Sequence, residues 1–184
     1  MFKNFILLLV IGVSGCTFNP QAVSISPDLK PTGVIHGEGK NVVVTVSDER
    51  ASQSLGQRGA GNVGADLTVQ GDLTEIIQSS VESGLQKQGF NLSNAGSSLK
   101  VEIRNLDYKF LTGMWSGTIR TECGLKAICS AGGKSYDKFY RGKYEKSVQV
   151  AGTSAENNTY VSSSVSDAVN QLINDPELGK CLSQ

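Results

Sequence analysis

The hydrophobic pattern changes period along the chain, and each change marks an element. Residues 5–13 form an apolar run broken only by Gly12. It is too short to cross a bilayer core, which needs about 20 residues in a helix. Residues 17–39 show little periodicity and are punctuated by Pro20, Pro27, Pro31, Gly33, Gly37 and Gly39, as in a tether. Within them, Val23-Ser24-Ile25 could add a short edge strand. Residues 41–47 (Asn-Val-Val-Val-Thr-Val-Ser) predict the first firm strand, and the β-branched run suggests one buried on both faces or central in its sheet. Residues 51–71 are polar and Gly-rich and read as a loop. Leu73, Ile76, Ile77, Val81 and Leu85 then recur at helical spacing. Asp72-Leu73-Thr74-Glu75 has the spacing of a capping box, and Gly89 stands where a C′ glycine belongs. Ser80 and Gly84, small and between the apolar rows, predict close packing of this helix on a sheet.

The second half alternates. Leu99, Val101 and Ile103 share one parity, whereas Leu106, Tyr108 and Phe110 share the other. The slip predicts a β-bulge near Arg104-Asn105. Residues 115–130 predict a third strand, Ala131-Gly132-Gly133 a turn, and residues 136–150 a fourth strand with Tyr136, Tyr140, Tyr144, Val148 and Val150 on one side. Asn157-Asn158 is expected to cap a last helix with the stripe Val161, Val165, Ala168, Val169, Leu172 and Ile173, ended by Pro176. The order β-α-β-β-β-α predicts an α+β two-layer sandwich: a mostly antiparallel sheet, two helices on one face, the other face wet. Three segments follow: a signal peptide (residues 1–15), a lipidated N-terminus and flexible tether (16–39), and one folded domain (40–184).

Composition narrows the function. The chain has 184 residues with 17 basic and 17 acidic side chains, and this zero net charge disfavours a nucleic-acid binder. Hydrophobic residues at 39% are too many for a highly charged disordered chain. Lys3 before the apolar run, and small residues after it, make a secretory signal. Val13-Ser14-Gly15-Cys16 resembles the lipobox of bacterial lipoproteins. The resemblance implies cleavage between Gly15 and Cys16 and a diacylglyceryl and N-acyl lipid on Cys16. Several acyl chains hold a protein to a bilayer far more firmly than one, at roughly 0.8 kcal/mol per buried CH₂. The residue after Cys16 is Thr17 rather than an inner-membrane-retaining Asp, which points to the outer membrane, with the domain in the periplasm.

Of the remaining cysteines, Cys123 and Cys129 on one strand would lie roughly 20 Å apart, beyond the reach of about 7 Å that a disulfide allows. The last helix is expected to run antiparallel to the fourth strand, which brings its tail to the Cys129 end of the sheet. Topology thus suggests Cys129–Cys181 as a possible bridge, which would leave Cys123 a small buried hydrophobe.

Little else suggests chemistry. Gly59-Ala60-Gly61-Asn62-Val63-Gly64 matches G-x-G-x-x-G, but no strand directly precedes it and no helix opens at it, so a loop and no nucleotide site is expected. The lone histidine, His36, supports neither a hydrolase triad nor a zinc site. No cofactor, metal or catalytic residue is predicted. Asp48 and Arg50 share a parity and are candidates for surface contact or for pairing with each other. Asp66 or Asp72 could approach Asp48 to make the converging carboxylates a glycosidase needs. Lys134, Lys138, Arg141, Lys143 and Lys146 interleave with Tyr136, Phe139, Tyr140 and Tyr144. Lys138 and Lys143 are the candidate contact residues for an acidic glycan or a protein, although a solvated face is the simpler reading.

With these motifs laid out, the chain resembles the YajG family of Gram-negative outer-membrane lipoproteins. The likeness runs from the lipobox to about Asp175. It is carried by Val23-Ser24-Ile25-Ser26-Pro27, Val46-Ser47-Asp48-Glu49-Arg50, Ser54-Leu55-Gly56, Asp72-Leu73, Gly89-Phe90 and Asp167-Ala168-Val169. It implies Cys16 as the lipid site and assigns no catalytic residue. The expected role is a non-enzymatic envelope module that binds a protein or cell-wall glycan. The alternative is an accessory subunit of an envelope lipid-transport or assembly machine.

Overall fold

A computed structural model describes residues 19–32, 36–59, 64–113, 116–149 and 152–184. Cys16, the lipobox and most of the G-x-G-x-x-G stretch lie outside them. The predicted alternation appears as three long strands, β6 (Ser97–Thr112), β7 (Gly117–Ala131) and β8 (Lys134–Val148), paired antiparallel. The register slips between Ile103 and Asn105, where the two hydrophobic parities change over. The slip lets both halves of β6 bury their apolar side chains on one face, from Leu99 to Tyr108.

The first firm strand becomes β2 (Asn41–Asp48) and runs parallel to β6. The five-stranded sheet has the order β5-β2-β6-β7-β8, with β5 (Asn91–Leu92) also parallel to β2. It is therefore mixed, with its two long pairings antiparallel and those of β2 parallel. Nor is β2 buried on both faces: Val42 and Val44 are buried, and their neighbours alternate outward. The supposed loop at 51–71 holds β3 (Gly56–Arg58) and β4 (Ala65–Val69), which form a second small sheet with β1 (Gln21–Val23) in the order β1-β4-β3. Leu55, Ala65 and Leu67 are its buried side chains, too few and too widely spaced to signal strands in the sequence.

Helix α1 (Leu73–Lys87) is capped by Asp72, whose carboxylate accepts from Thr74 rather than completing a box with Glu75. It ends in a Schellman motif. Gly89 at φ 85° lets Gly89 N donate to Gln86 O and Phe90 N donate to Leu85 O. Gly84 serves a helix contact rather than a sheet contact, since a Cβ there would lie 2.7 Å from Ile173 Cγ2. Helix α2 (Ser154–Ile173) starts earlier than expected, because Thr153 and Glu156 form the capping box. Asn157 and Asn158, the expected caps, lie inside the helix. The helix ends at Ile173, ahead of Pro176 as expected, but the proline has a second role. It opens a third helix, α3 (Pro176–Leu182), with Asp175 as the cap.

Within the expected flexible tether, residues 24–32 form a docked strap. Ser24, Ser26, Asp28, Lys30 and Thr32 donate their backbone N–H groups to the side-chain oxygens of Asn158, Ser162, Ser166, Asn170 and Asn174. Asn170 and Asn174 donate back to the carbonyls of Asp28 and Lys30. The periods match: two extended residues rise about 6.2–6.8 Å, and four helical residues about 6.0 Å. Pro27 and Pro31 fall on the alternate positions, where no N–H is used, and Ile25 there is buried.

Candidate functional site

Asp48 closes on Arg50. Arg50 Nε donates to Asp48 Oδ1 at 2.9 Å and Nη2 to Oδ2 at 2.8 Å, while a further bond joins Nη2 to Gln53. The Arg50 side chain is only 4% exposed. The pair lines an open hollow of about 590 Å³ that Asp72 and Thr74 also border, so two carboxylates do share one concavity. Both are held below the ordinary carboxylate range, Asp48 mainly by the Arg50 side-chain bond and Asp72 mainly by the Thr74 hydroxyl. A general acid needs the opposite shift. The bonds tie the end of β2 to the segment that follows it, at Arg50 and Gln53, and Asp66 takes no part in them.

The basic candidates on β8 separate by parity. Lys138 shares the side of Tyr136 and Tyr140 and points toward the helices. Its Nζ donates to Asp175 Oδ2 at 2.7 Å. It belongs to the cluster around Asp175 rather than to the outer sheet face, and half of its side chain stays exposed. Lys143 faces outward, and its backbone N–H donates to Asp167, anchoring the strand edge to α2. The outer face is laced by ion pairs between strands, among them Arg120–Glu145, Arg141–Glu122 and Lys126–Asp137. In its middle Phe139 is 42% exposed, and the Arg141 guanidinium lies 5.4 Å from its ring centroid.

Two buried polar centres escaped the sequence reading. Asp175, whose side chain is 3% exposed, accepts on Oδ2 from Tyr136, Lys138 and Tyr140 and on Oδ1 from the backbone of Glu177 and Leu178. Burial pushes its pKa up. The bonds from Lys138, Tyr140, the Glu177 N–H and Tyr136 outweigh that and hold it at about 2. The Asp-Pro-Glu run was the available signal, since it is a cap followed by proline at the first helical position. Asn157 is fully buried: its Oδ1 accepts from Tyr108 at 2.9 Å, and its Nδ2 donates to Gln21 and to the Gly152 carbonyl. It joins β1, β6 and α2 at one point.

Cys129 and Cys181 are joined as a disulfide across Cα atoms 6.4 Å apart, fastening α3 to β7. Cys123 is a buried free thiol, pushed up to about 12 chiefly by burial. His36 lies against Gly179, and its carbonyl accepts from Ser183.

The family described as "Uncharacterized lipoprotein" matches residues 27–183 of the chain. "Uncharacterized lipoprotein YajG" of Escherichia coli K12 is 26% identical over 180 residues, covering 95% of this chain and 90% of that protein. The protein of the same name from Escherichia coli O6:H1 matches to the same extent. Among solved structures, a minor lipoprotein from Acinetobacter baumannii aligns with TM-score 0.46 and 9% identity, over 82% of this chain and 92% of that one.

Proposed function

The chain belongs to the YajG family of lipoproteins, and from that premise we propose a lipid-anchored, non-enzymatic module of the outer membrane that offers its exposed sheet face to an envelope protein or cell-wall glycan. The observation that carries this reading is the outer face of β6, β7 and β8. Charges there are paired between β7 and β8 and along β6, and Phe139 stands open among them. A flat, charge-balanced face with one exposed ring suits a partner that contributes stacking and hydrogen bonds rather than a strong counter-charge. The hollow at Asp48 supports the non-enzymatic part, because both carboxylates there are engaged and ionised. The described large apolar side chains that stay exposed, Leu92, Leu111 and Phe139, lie on separate strands. A lipid-transport accessory would instead need a contiguous apolar groove.

Two experiments test the proposal. Photo-reactive residues at Phe139 and Lys143, in the full-length protein in cells, should capture one reproducible protein or glycan adduct. Purely nonspecific adducts at both outer positions would refute the binding face. Cys16→Ser should release the protein from the membrane fraction, and a variant retained there would refute the lipid anchor.

A further inference from the structure

We infer that the open edge of β2 is a docking site for an extended, basic segment of a partner protein, which joins the five-stranded sheet as an added strand. The edge follows from the backbone directions. Glu49 N donates to Ile103 O, so the odd-numbered amides of β2 turn toward β6. The even-numbered residues turn the other way, where Asn91 N donates to Lys40 O and Ser93 N to Val42 O. On that side β5 stops early, because its register covers only Asn41 and Val42. Beyond it, the N–H and C=O groups of Val44 and Val46 face no other strand among the described residues. An unpaired edge of this kind is a template for a further strand, and a guest of about five residues matches the stretch from Val44 to Asp48.

The other strand edges have partners. Along β8, Lys143 N donates to Asp167 and the Arg141 carbonyl accepts from Gln171, and the strand carries four lysines. Beside β3, Tyr108 N donates to Leu55 O, and beyond β1, Ser24 N donates to Asn158. By contrast β2 reads Asn-Val-Val-Val-Thr-Val-Ser-Asp, with no lysine, proline or bulge to blunt it.

The surroundings select the occupant. Helix α1 runs back along β2, from Asp72, which shares a hollow with Asp48, to Gly89, whose carbonyl accepts from Gly39 N. The open edge therefore lies between two hollows. One, of about 470 Å³, is lined by Gln78, Glu82, Leu92 and Ser93 among others. The second is the hollow of Asp48, Arg50 and Asp72. Across the two, three carboxylates face one guanidinium, and Arg50 is already spent on Asp48. Basic side chains on the guest complement this excess, whereas a second copy of the chain would set the same carboxylates against one another.

The test uses the full-length lipidated protein in detergent micelles and three short capped peptides: alternating Lys and Val, the same with Glu in place of Lys, and the Lys–Val peptide with every backbone nitrogen methylated. The Lys–Val peptide should slow hydrogen exchange at Val44 and Val46 about tenfold and leave Thr45, already bonded to β6, unchanged. The methylated peptide has no backbone donors and should bind about tenfold more weakly. The Glu peptide should also bind about tenfold more weakly, and Glu82→Lys should weaken the Lys–Val peptide about threefold. That variant should keep the wild-type unfolding midpoint, since the side-chain bond of Glu82 is to Gln78 on the same helix. Val44 and Val46 amides as slow as Thr45 in the free monomer would show an edge already covered and overturn the inference. Protection that rises with protein concentration in the absence of peptide would overturn it in favour of a second copy. Absence of Lys–Val binding at about millimolar concentration, or equal binding of the methylated or Glu peptide, would also overturn it.

Discussion

Replacing Asp175 by Asn isolates the electrostatic part of the α3 latch. Asn keeps an oxygen for the Glu177 N–H but turns an NH₂ group toward Tyr136, Lys138 and Tyr140, all of which donate to the carboxylate. In the folded protein the Asp175 pKa falls from 3.8 to about 2. A shift of that size corresponds to about 2 kcal/mol of stability. Because the folded pKa is depressed, the contribution is whole above the unfolded value, about half gone by roughly pH 3, and lost near pH 2. Asp175→Asn should thus cost about 2 kcal/mol at pH 7, or roughly 4–8 °C in Tm for a domain of this size. The gap to wild type should narrow on acidification. Urea unfolding of the oxidised protein at pH 7 and pH 3 measures both quantities. A loss equal at the two pH values, or under about 0.5 kcal/mol at pH 7, would refute the claim that this carboxylate is held ionised by its partners.

Other perturbations probe the remaining joints. Ser162→Ala with Ser166→Ala removes the acceptors of the Ser26 and Asp28 amides. Hydrogen exchange of those two amides should quicken about fivefold or more, while β7 amides keep their rates; unchanged protection at Ser26 and Asp28 would count against the strap. Reducing Cys129–Cys181 opens a link with sequence separation 52. It should lower stability by about 2–4 kcal/mol, seen as a reductant-dependent urea midpoint that Cys129→Ser/Cys181→Ser abolishes. Gly142→Ala would place a Cβ 2.0 Å from Ser164 O and 2.4 Å from Ala168 N, both backbone atoms of α2. The helix must shift, at a cost of about 3 kcal/mol, and an equilibrium loss under about 1 kcal/mol would show that it docks less closely.

What the amino-acid order determined by itself is local and periodic. A 3.6-residue apolar stripe, a two-residue alternation and a parity slip each involve only near neighbours, so α1, β6, β7, β8 and the bulge at Ile103–Asn105 were legible, as was much of α2. Simple topology suggested the Cys129–Cys181 pairing without deciding it, and the tertiary structure joins the two. The parity of β8 already placed Lys138 with Tyr136 and Tyr140; its charge misled where its position did not. The tertiary structure decided whatever depends on two distant segments meeting. Residues 24–32 are Pro- and Ser-rich, and an isolated segment of that kind is a tether. They become a strap only because α2 repeats an oxygen-bearing side chain every four residues from Asn158 to Asn174, at the spacing of alternate extended amides. Asn157 looks like a helix cap until Tyr108 and Gln21 converge on it, and Asp175 looks like a helix stop until β8 surrounds its carboxylate with donors. Burying a polar group is favourable only when its partners arrive with it, and here those partners lie 35 to 136 residues away in the chain.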